Sequence, residues 1–171
     1  MLVLASADSD AAITAAIVAA AVAVAVSLIG FWITGVSTER ARRRELYADA
    51  LAAVAGYREF AYVVRRRRHD DPAGERVRIS EAMREVQHDL SRFEALMKVE
   101  RALAVATAYR QLVIKTRQVA GGYISAGWNA ASITRDEEMN ISDVNYASLT
   151  EFDDAYLAAV ARDLAWWRFW R

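Results

Sequence analysis

Residues 11–38 read AAITAAIVAAAVAVAVSLIGFWITGVST, 28 residues without a charged side chain. A helix needs about 20 apolar residues, at about 1.5 Å each, to cross the roughly 30 Å hydrocarbon core of a bilayer. The part from Ile13 to Ile33 meets this requirement without a proline. Its large apolar side chains together favour insertion by roughly 3 to 6 kcal/mol. The segment therefore predicts a transmembrane helix.

Two other structures also produce long apolar segments. A cleaved signal peptide normally begins with basic residues, whereas the only charges among residues 1–10 are Asp8 and Asp10. The core helix of a soluble protein rarely stays uncharged on every face over such a length. Both alternatives fit less well than a membrane span.

The flanks of the segment predict its orientation. Residues 1–10 contain no Lys or Arg, while four arginines directly follow the span, Arg40, Arg42, Arg43 and Arg44. Because basic residues favour the cytoplasmic side, we expect residues 1–10 outside the cell inner membrane, 11–38 across it and 39–171 in the cytoplasm. Trp32 would lie at the inner interface, where an amphipathic ring is favoured. The lipid bilayer is thus the first predicted partner.

Composition narrows the function of residues 39–171. The chain has 22 basic and 22 acidic residues, so no net charge steers it to nucleic acid. It has no cysteine, which excludes thiol catalysis, disulfides and cysteine-based zinc sites. About 130 residues suffice for one modest core.

With one proline and seven glycines, little in the chain breaks helices, and the fold class predicted is all-α. Four segments carry apolar residues at helical steps of three and four. In the first two helices these residues are Ala50, Val54, Tyr57, Ala61 and Val64, then Ile79, Met83, Val86, Leu90, Phe93 and Met97. In the last two they are Leu103, Tyr109, Leu112, Val113 and Val119, then Leu149, Phe152, Tyr156, Val160, Leu164 and Trp167.

Residues typical of helix starts, helix ends and turns separate these helices. The first helix continues from the span and ends near His69, and Asp71 with Pro72 is a typical helix start. Gly121 and Gly122 weaken the helix, and residues 121–147 are predicted to be a loop, with a frayed helical start as the open alternative for its first residues. Ser148 and Glu151 form a capping-box pattern for the last helix.

Residues 74–120 are predicted either as one rod of roughly 70 Å or as two antiparallel helices with a bend near Met97 to Glu100. The bend gives an antiparallel cytoplasmic bundle of four helices, which we favour because a rod would expose much of its stripe. It also returns the C-terminal tail to the membrane. Trp166, Trp167, Arg168 and Trp170 would then lie at headgroup depth, where Trp and Arg are favoured.

Two stretches resemble those of a protein family, TERARRRELYADAL at 38–51 and DDAYLAAVARDL at 153–164. The chain resembles small single-pass membrane proteins of actinobacteria and their phages, which join an Arg-rich stop to a cytoplasmic helical bundle. That group is largely uncharacterised. The resemblance implies the layout and assigns no functional residue.

Enzyme chemistry finds little support in the sequence. No phosphate-loop, nucleophile-elbow, dinucleotide or zinc-protease motif occurs. His69 lies beside acidic residues in a turn, and His88 and Asp89 are adjacent on a helix and point apart. Glu137 with Glu138 is the third candidate pair. We therefore predict no enzyme, no cofactor and no metal.

The arginine run Arg65 to Arg68 has two interpretations. It could hold phosphate or an acidic partner. Alternatively, it solubilises the end of the first helix and interacts favourably with the helix dipole. We favour the second interpretation, because nucleic-acid binding would also need exposed aromatic side chains.

Small residues form a possible helix-packing ridge on the span, Ala15, Ala19, Ala23 and Ser27. Such a ridge lets a second helix approach closely, so self-association or another protein partner is predicted. The leading functional hypothesis is a noncatalytic membrane protein whose bundle is an interaction or scaffolding module. The alternative is a phage-related membrane-active factor, holin-like or involved in superinfection exclusion, that acts through the span and the Trp/Arg tail.

Overall fold

The computed structural model describes the backbone of residues 4–165, and side chains from residue 19 onward except 21 and 29. Within that range the chain is all-helical without a strand, which confirms the predicted fold class. The helices are α1 (Leu4–Arg65), α2 (Pro72–Val99), α3 (Leu103–Asn129) and α4 (Thr150–Asp163). Short 3-10 turns at Asp136–Met139 and Ala147–Leu149 precede α4.

The chain divides into two compact units, with the boundary between Arg42 and Arg43. The first unit contains the apolar part of α1, and α1 is long and apolar enough to cross a membrane. The second unit, called here the bundle, contains the rest of α1 together with α2, α3 and α4.

The bundle core forms where the helical stripes meet. All five stripe residues predicted for α1 are buried, Ala50, Val54, Tyr57, Ala61 and Val64. The α2 stripe is buried at Ile79, Leu90, Phe93 and Met97. Full burial of one such large side chain stabilises the fold by about 1.5 to 3 kcal/mol. These burials explain why four helices associate.

The direction of α2 relative to α1 identifies the two ends of the bundle. A Cβ on Gly56 would lie 3.9 Å from Val86 Cγ2, so the middles of the two helices are opposite each other. Arg43 and Val99 each lie 13 residues from that contact, about 20 Å of helix. Because the helices are antiparallel, Arg43 and Val99 lie at the same end, called here the proximal end.

The start of α2 follows the predicted chemistry. The Asp71 side chain accepts a hydrogen bond from the Gly74 backbone N–H at 2.9 Å, and Pro72 is the first helical residue. Asp71 therefore satisfies a donor that the helix itself cannot.

A tight turn separates α2 from α3, so residues 74–120 are two helices and not one rod. The Glu100 N–H donates to Leu96 O at 2.9 Å and the Ala102 N–H to Met97 O at 3.0 Å. Arg101 has φ 56°, the left-handed conformation that commonly ends a helix. Burial of Met97 and Ala102 holds the bend without the glycine that such a position favours.

Three expectations about local structure are wrong. Leu103, predicted in the buried stripe, is exposed because α3 only begins there. Gly121 and Gly122 do not start the loop, since α3 continues to Asn129. Packing of buried Ala120 and Ile124 on either side outweighs the roughly 1 kcal/mol helix cost of each glycine.

The third is the capping box at Ser148. The helix follows a 3-10 turn instead, and the N-cap position of α4 is Leu149, with no side-chain cap hydrogen bond. The Asn145 side chain accepts from the Ala147 N–H at 2.8 Å. The turn therefore starts at Asn145, before the predicted box.

Two glycines of α3 provide a matched stability test. We expect Gly122→Ala to stabilise the bundle by about 0.5 to 1 kcal/mol, since the helix gains propensity and a Cβ there meets nothing within 4 Å. Gly127→Ala should instead be neutral or destabilising, because its Cβ would lie 3.2 Å from Val64 Cγ1. Urea unfolding in detergent followed by circular dichroism measures both. Equal shifts of the two midpoints would contradict this account.

Candidate interaction surfaces

The first candidate surface is the apolar segment, defined as residues 22–35 of α1. Every described side chain in it is exposed, including Phe31 at 82% and Trp32 at 40%. Exposed apolar area costs about 25 cal/mol per Å² in water. A continuous surface of this kind marks a site for lipid or protein. Trp32 lies near its C-terminal end, the position predicted for the inner interface.

The predicted packing ridge lies on this helix. Ala19, Ala23 and Ser27 are exposed, while the side chain of Ala15 lies outside the described residues. The Ser27 hydroxyl donates to Ala23 O at 2.8 Å, so it needs no outside partner. Gly30, which is not among the four ridge residues predicted from sequence, lies three residues beyond Ser27 and extends the ridge. A shallow groove follows the ridge, lined by Ala23, Val24, Ser27, Leu28 and Phe31.

The four arginines that follow the apolar segment have different environments. Arg42 donates two hydrogen bonds to the Glu39 carboxylate, at 2.9 and 3.0 Å. Arg43 pairs with Asp163 at 3.2 Å, so it also holds the end of α4. Arg40 is partly buried and Arg44 is exposed. Lipid contact through these arginines remains a prediction.

Asp163 is the centre of a polar cluster at the proximal end. The Tyr47 hydroxyl donates to Asp163 Oδ2 at 2.7 Å, and the Tyr156 hydroxyl donates to Tyr47 O at 2.8 Å. Burial, followed by the hydrogen bond to Asp163, raises the pKa of Tyr47 well above its usual value. The Tyr47 hydroxyl therefore keeps its proton and remains a hydrogen-bond donor. Through these hydrogen bonds the cluster joins α1 to α4.

A second polar cluster joins α1, α3 and α4 farther along the bundle. The Arg58 guanidinium makes two hydrogen bonds to Asp153, at 2.9 and 3.1 Å, and one to Thr116 Oγ1 at 3.4 Å. The Tyr146 hydroxyl donates to Arg58 O at 2.8 Å. Burial raises the pKa of Tyr146 to about 12. This cluster also anchors the segment that precedes α4.

The arginine run at 65–68 is occupied by contacts within the chain. Arg67 donates to three carbonyls, Val64 O and Gly127 O at 2.8 Å and Ala130 O at 2.6 Å. The last carbonyls of a helix have no partner of their own, so Arg67 satisfies the ends of α1 and α3 together. Its guanidinium also lies 5.3 Å from the Trp128 ring centre.

The other members of the run hold the nearby loops. Arg65 pairs with Asp143 at 3.2 Å, Arg66 donates to Met139 O at 2.9 Å, and Arg68 pairs with Asp70 at 2.9 Å. The two interpretations of the sequence, a phosphate site and a solvated helix end, both missed this role. The run fastens the segment between α3 and α4 to the end of α1.

The candidate catalytic and metal residues do not converge. His88 Nδ1 and Asp89 Oδ1 are 3.9 Å apart on the exposed face of α2. His88 and Asp89 line a shallow surface depression together with Arg84 and Glu85. Among the residues the structure describes, no three His, Asp or Glu side chains are grouped so that they could hold a metal ion.

Sequence reasoning missed the partners of the two polar clusters, although a signal was present. Asp153 and Asp163 lie three residues before and seven residues after buried Tyr156. Those spacings place both carboxylates beside the apolar stripe of α4, where a charge needs a partner. Acidic residues at stripe spacing would have predicted ion pairs to α1.

The predicted tail residues Trp166, Trp167, Arg168 and Trp170 lie outside the described residues. The chain matches no protein-family model, no curated protein and no solved structure.

Proposed function

We propose that the protein spans the cell inner membrane once, through α1, and that its bundle is a noncatalytic interaction or scaffolding module in the cytoplasm. The observation that carries the first part is the exposed apolar segment. Between residues 22 and 35 the described side chains are exposed, and hydrocarbon is the medium in which such a helix is stable. An uncharged helix of this length supports a span.

The basic flank supports an orientation with the N-terminus outside. The chain has no cysteine, so single-cysteine variants report position without background. We expect Ser9→Cys to react with a membrane-impermeant maleimide in spheroplasts. Ala48→Cys should react only after the membrane is permeabilised. Labelling of Ala48→Cys in intact spheroplasts would overturn the orientation.

Use of the bundle as an interaction module is supported by its fixed shape, which three partly buried arginines help to maintain. Arg43, Arg58 and Arg67 all bind groups within the bundle, so these contacts fix its shape. In-cell crosslinking of the full chain, followed by affinity capture, tests the module. A single stoichiometric crosslinked complex that does not form with an unrelated single-pass protein supports the module. Recovery of the free chain alone, with no crosslinked complex, contradicts it.

The packing ridge supports self-association through the span. We expect Ala23→Leu to reduce the crosslinked dimer several-fold, because a large side chain keeps helices apart at a small-residue contact. Ala25→Leu is the matched control, since residue 25 faces away from residue 23 on a helix. Crosslinking in membranes, resolved by electrophoresis, compares the two. An equal dimer yield from both variants contradicts packing through this ridge.

One observation favours the alternative of a phage-related membrane-active factor. The pairing of Asp163 with Arg43 places the end of α4 at the proximal end, and the Trp/Arg tail follows in sequence. Induced expression with a potential-sensitive dye separates the hypotheses. Depolarisation that disappears when Trp166, Trp167 and Trp170 are replaced supports the alternative, and an unchanged potential supports the module.

A further inference from the structure

The turn between α2 and α3 exposes large apolar side chains. Val99 is 77% exposed and Leu103 is 64% exposed, four residues apart on either side of the turn. Leu96, one helical turn before Val99, is also exposed. Apolar residues grouped in this way indicate a contact surface more strongly than scattered ones.

The turn holds these side chains outward in a fixed geometry. Its ends are anchored by buried Met97 and Ala102, and backbone hydrogen bonds from Glu100 and Ala102 close it. Val99 and Leu103 are therefore displayed without a flexible loop. Exposed Arg101 lies between them in the left-handed conformation.

The position of the turn indicates what covers it. Val99 lies at the proximal end, level with Arg43, the residue at which the chain enters the bundle. Arg43 lies five residues beyond the segment 11–38 that we propose to be in the membrane, about 8 Å of helix. Apolar side chains next to a basic residue suit the boundary between headgroups and acyl chains.

We propose that the α2–α3 turn inserts Val99 and Leu103 into the cytoplasmic face of the bilayer and forms a contact with lipid beyond the span. Arg101 lies at phosphate depth in this arrangement, where a basic side chain is favoured. The proposal rests on the proposed span through α1. It gives the bundle a defined face toward the membrane and leaves its distal end for partners.

Three single-cysteine variants of the full chain test this contact, each labelled with an environment-sensitive fluorophore. Val99→Cys reports the turn and Val26→Cys reports the span. Val77→Cys is the matched control, because Val77 is a 59% exposed valine near the other end of the same helix. The protein is reconstituted in vesicles of phosphatidylcholine and phosphatidylglycerol that carry spin-labelled acyl chains.

We expect lipid quenching of about twofold at residues 26 and 99, and almost none at residue 77, since insertion reaches about 5 to 10 Å into the boundary. Quenching at 26 but no more at 99 than at 77 overturns the turn contact and leaves the span intact. Absence of quenching at 26 overturns the span, and the turn contact with it. Protection of 99 from aqueous iodide without lipid quenching shows a protein cover and also overturns the proposal.

A second substitution separates insertion by the turn from insertion by the fluorophore. In the Val99→Cys background, Leu103→Asp should return the fluorescence to the level of the residue 77 control. Leu157→Asp, at an exposed leucine of α4, should leave it quenched. Circular dichroism checks that both variants stay folded. Equal quenching in the two variants overturns insertion by the turn.

Discussion

Replacing Val24 and Leu28 by arginine is expected to remove the protein from the membrane. Each arginine near the centre of a span costs about 2.5 to 3.5 kcal/mol on the insertion scale. Two of them together offset the roughly 3 to 6 kcal/mol that the apolar side chains contribute. The double variant should leave the carbonate-washed membrane fraction and appear in the soluble or aggregated fraction.

The control for this variant places the same charges on the bundle. Ala48 and Ala52 are exposed and one helical turn apart on α1, as are Val24 and Leu28. Ala48→Arg with Ala52→Arg should stay in the washed membranes at the wild-type level. Retention of the Val24→Arg, Leu28→Arg protein in the washed membranes contradicts a span through this helix.

Arg67→Met is expected to destabilise the bundle by about 2 to 4 kcal/mol. A hydrogen bond from a charged donor contributes about 1.5 to 3 kcal/mol, and Arg67 makes three to carbonyls at the ends of α1 and α3. Because Arg67 is only partly buried, water can hydrogen-bond to some of the carbonyls in the variant, and this reduces the loss of stability. Urea unfolding in detergent, followed by circular dichroism, measures the change.

Arg66→Met is the matched control for Arg67→Met. It removes the same charge from the neighbouring residue, but Arg66 is exposed, and within residues 4–165 its side chain donates to a single carbonyl, Met139 O. We expect a loss below about 1 kcal/mol. Similar losses for the two variants would show that the charge, and not the bridging of two helix ends, stabilises the fold.

The helices were predictable because their periodicity is strong. The stripe from Ala50 to Val64 is buried as its spacing predicts, and Asp71 with Pro72 marks a helix start by local chemistry alone. The bend after α2 was predicted from packing, since a rod would have exposed its stripe. Such features depend on neighbours in sequence, so one chain is enough to see them.

Contacts between distant residues were not predictable in the same way. In the sequence Arg67 belongs to a run of four arginines, which is typical of a solvated helix end. Only the packing of α1 beside α3 brings its side chain to Gly127 O. A Gly-Gly pair such as Gly121 and Gly122 is typical of a loop, but the burial of the residues on either side keeps this pair helical. Leu103 fits the stripe by spacing, yet it lies before the packed part of α3. In each case tertiary packing overrides the local preference.

The hydrogen bonds from Tyr156 to Tyr47 O and from Tyr47 to Asp163 join residues 109 and 116 positions apart. They have a consequence for biosynthesis, because a chain is made from its N-terminus and α4 is the last helix to be translated. Until α4 emerges, the α1 face that holds Tyr47 has no cover from it, so core formation waits for nearly the whole chain. A ribosome that stalls before residue 156 leaves an open three-helix intermediate, and chaperones are the expected first partners of that intermediate.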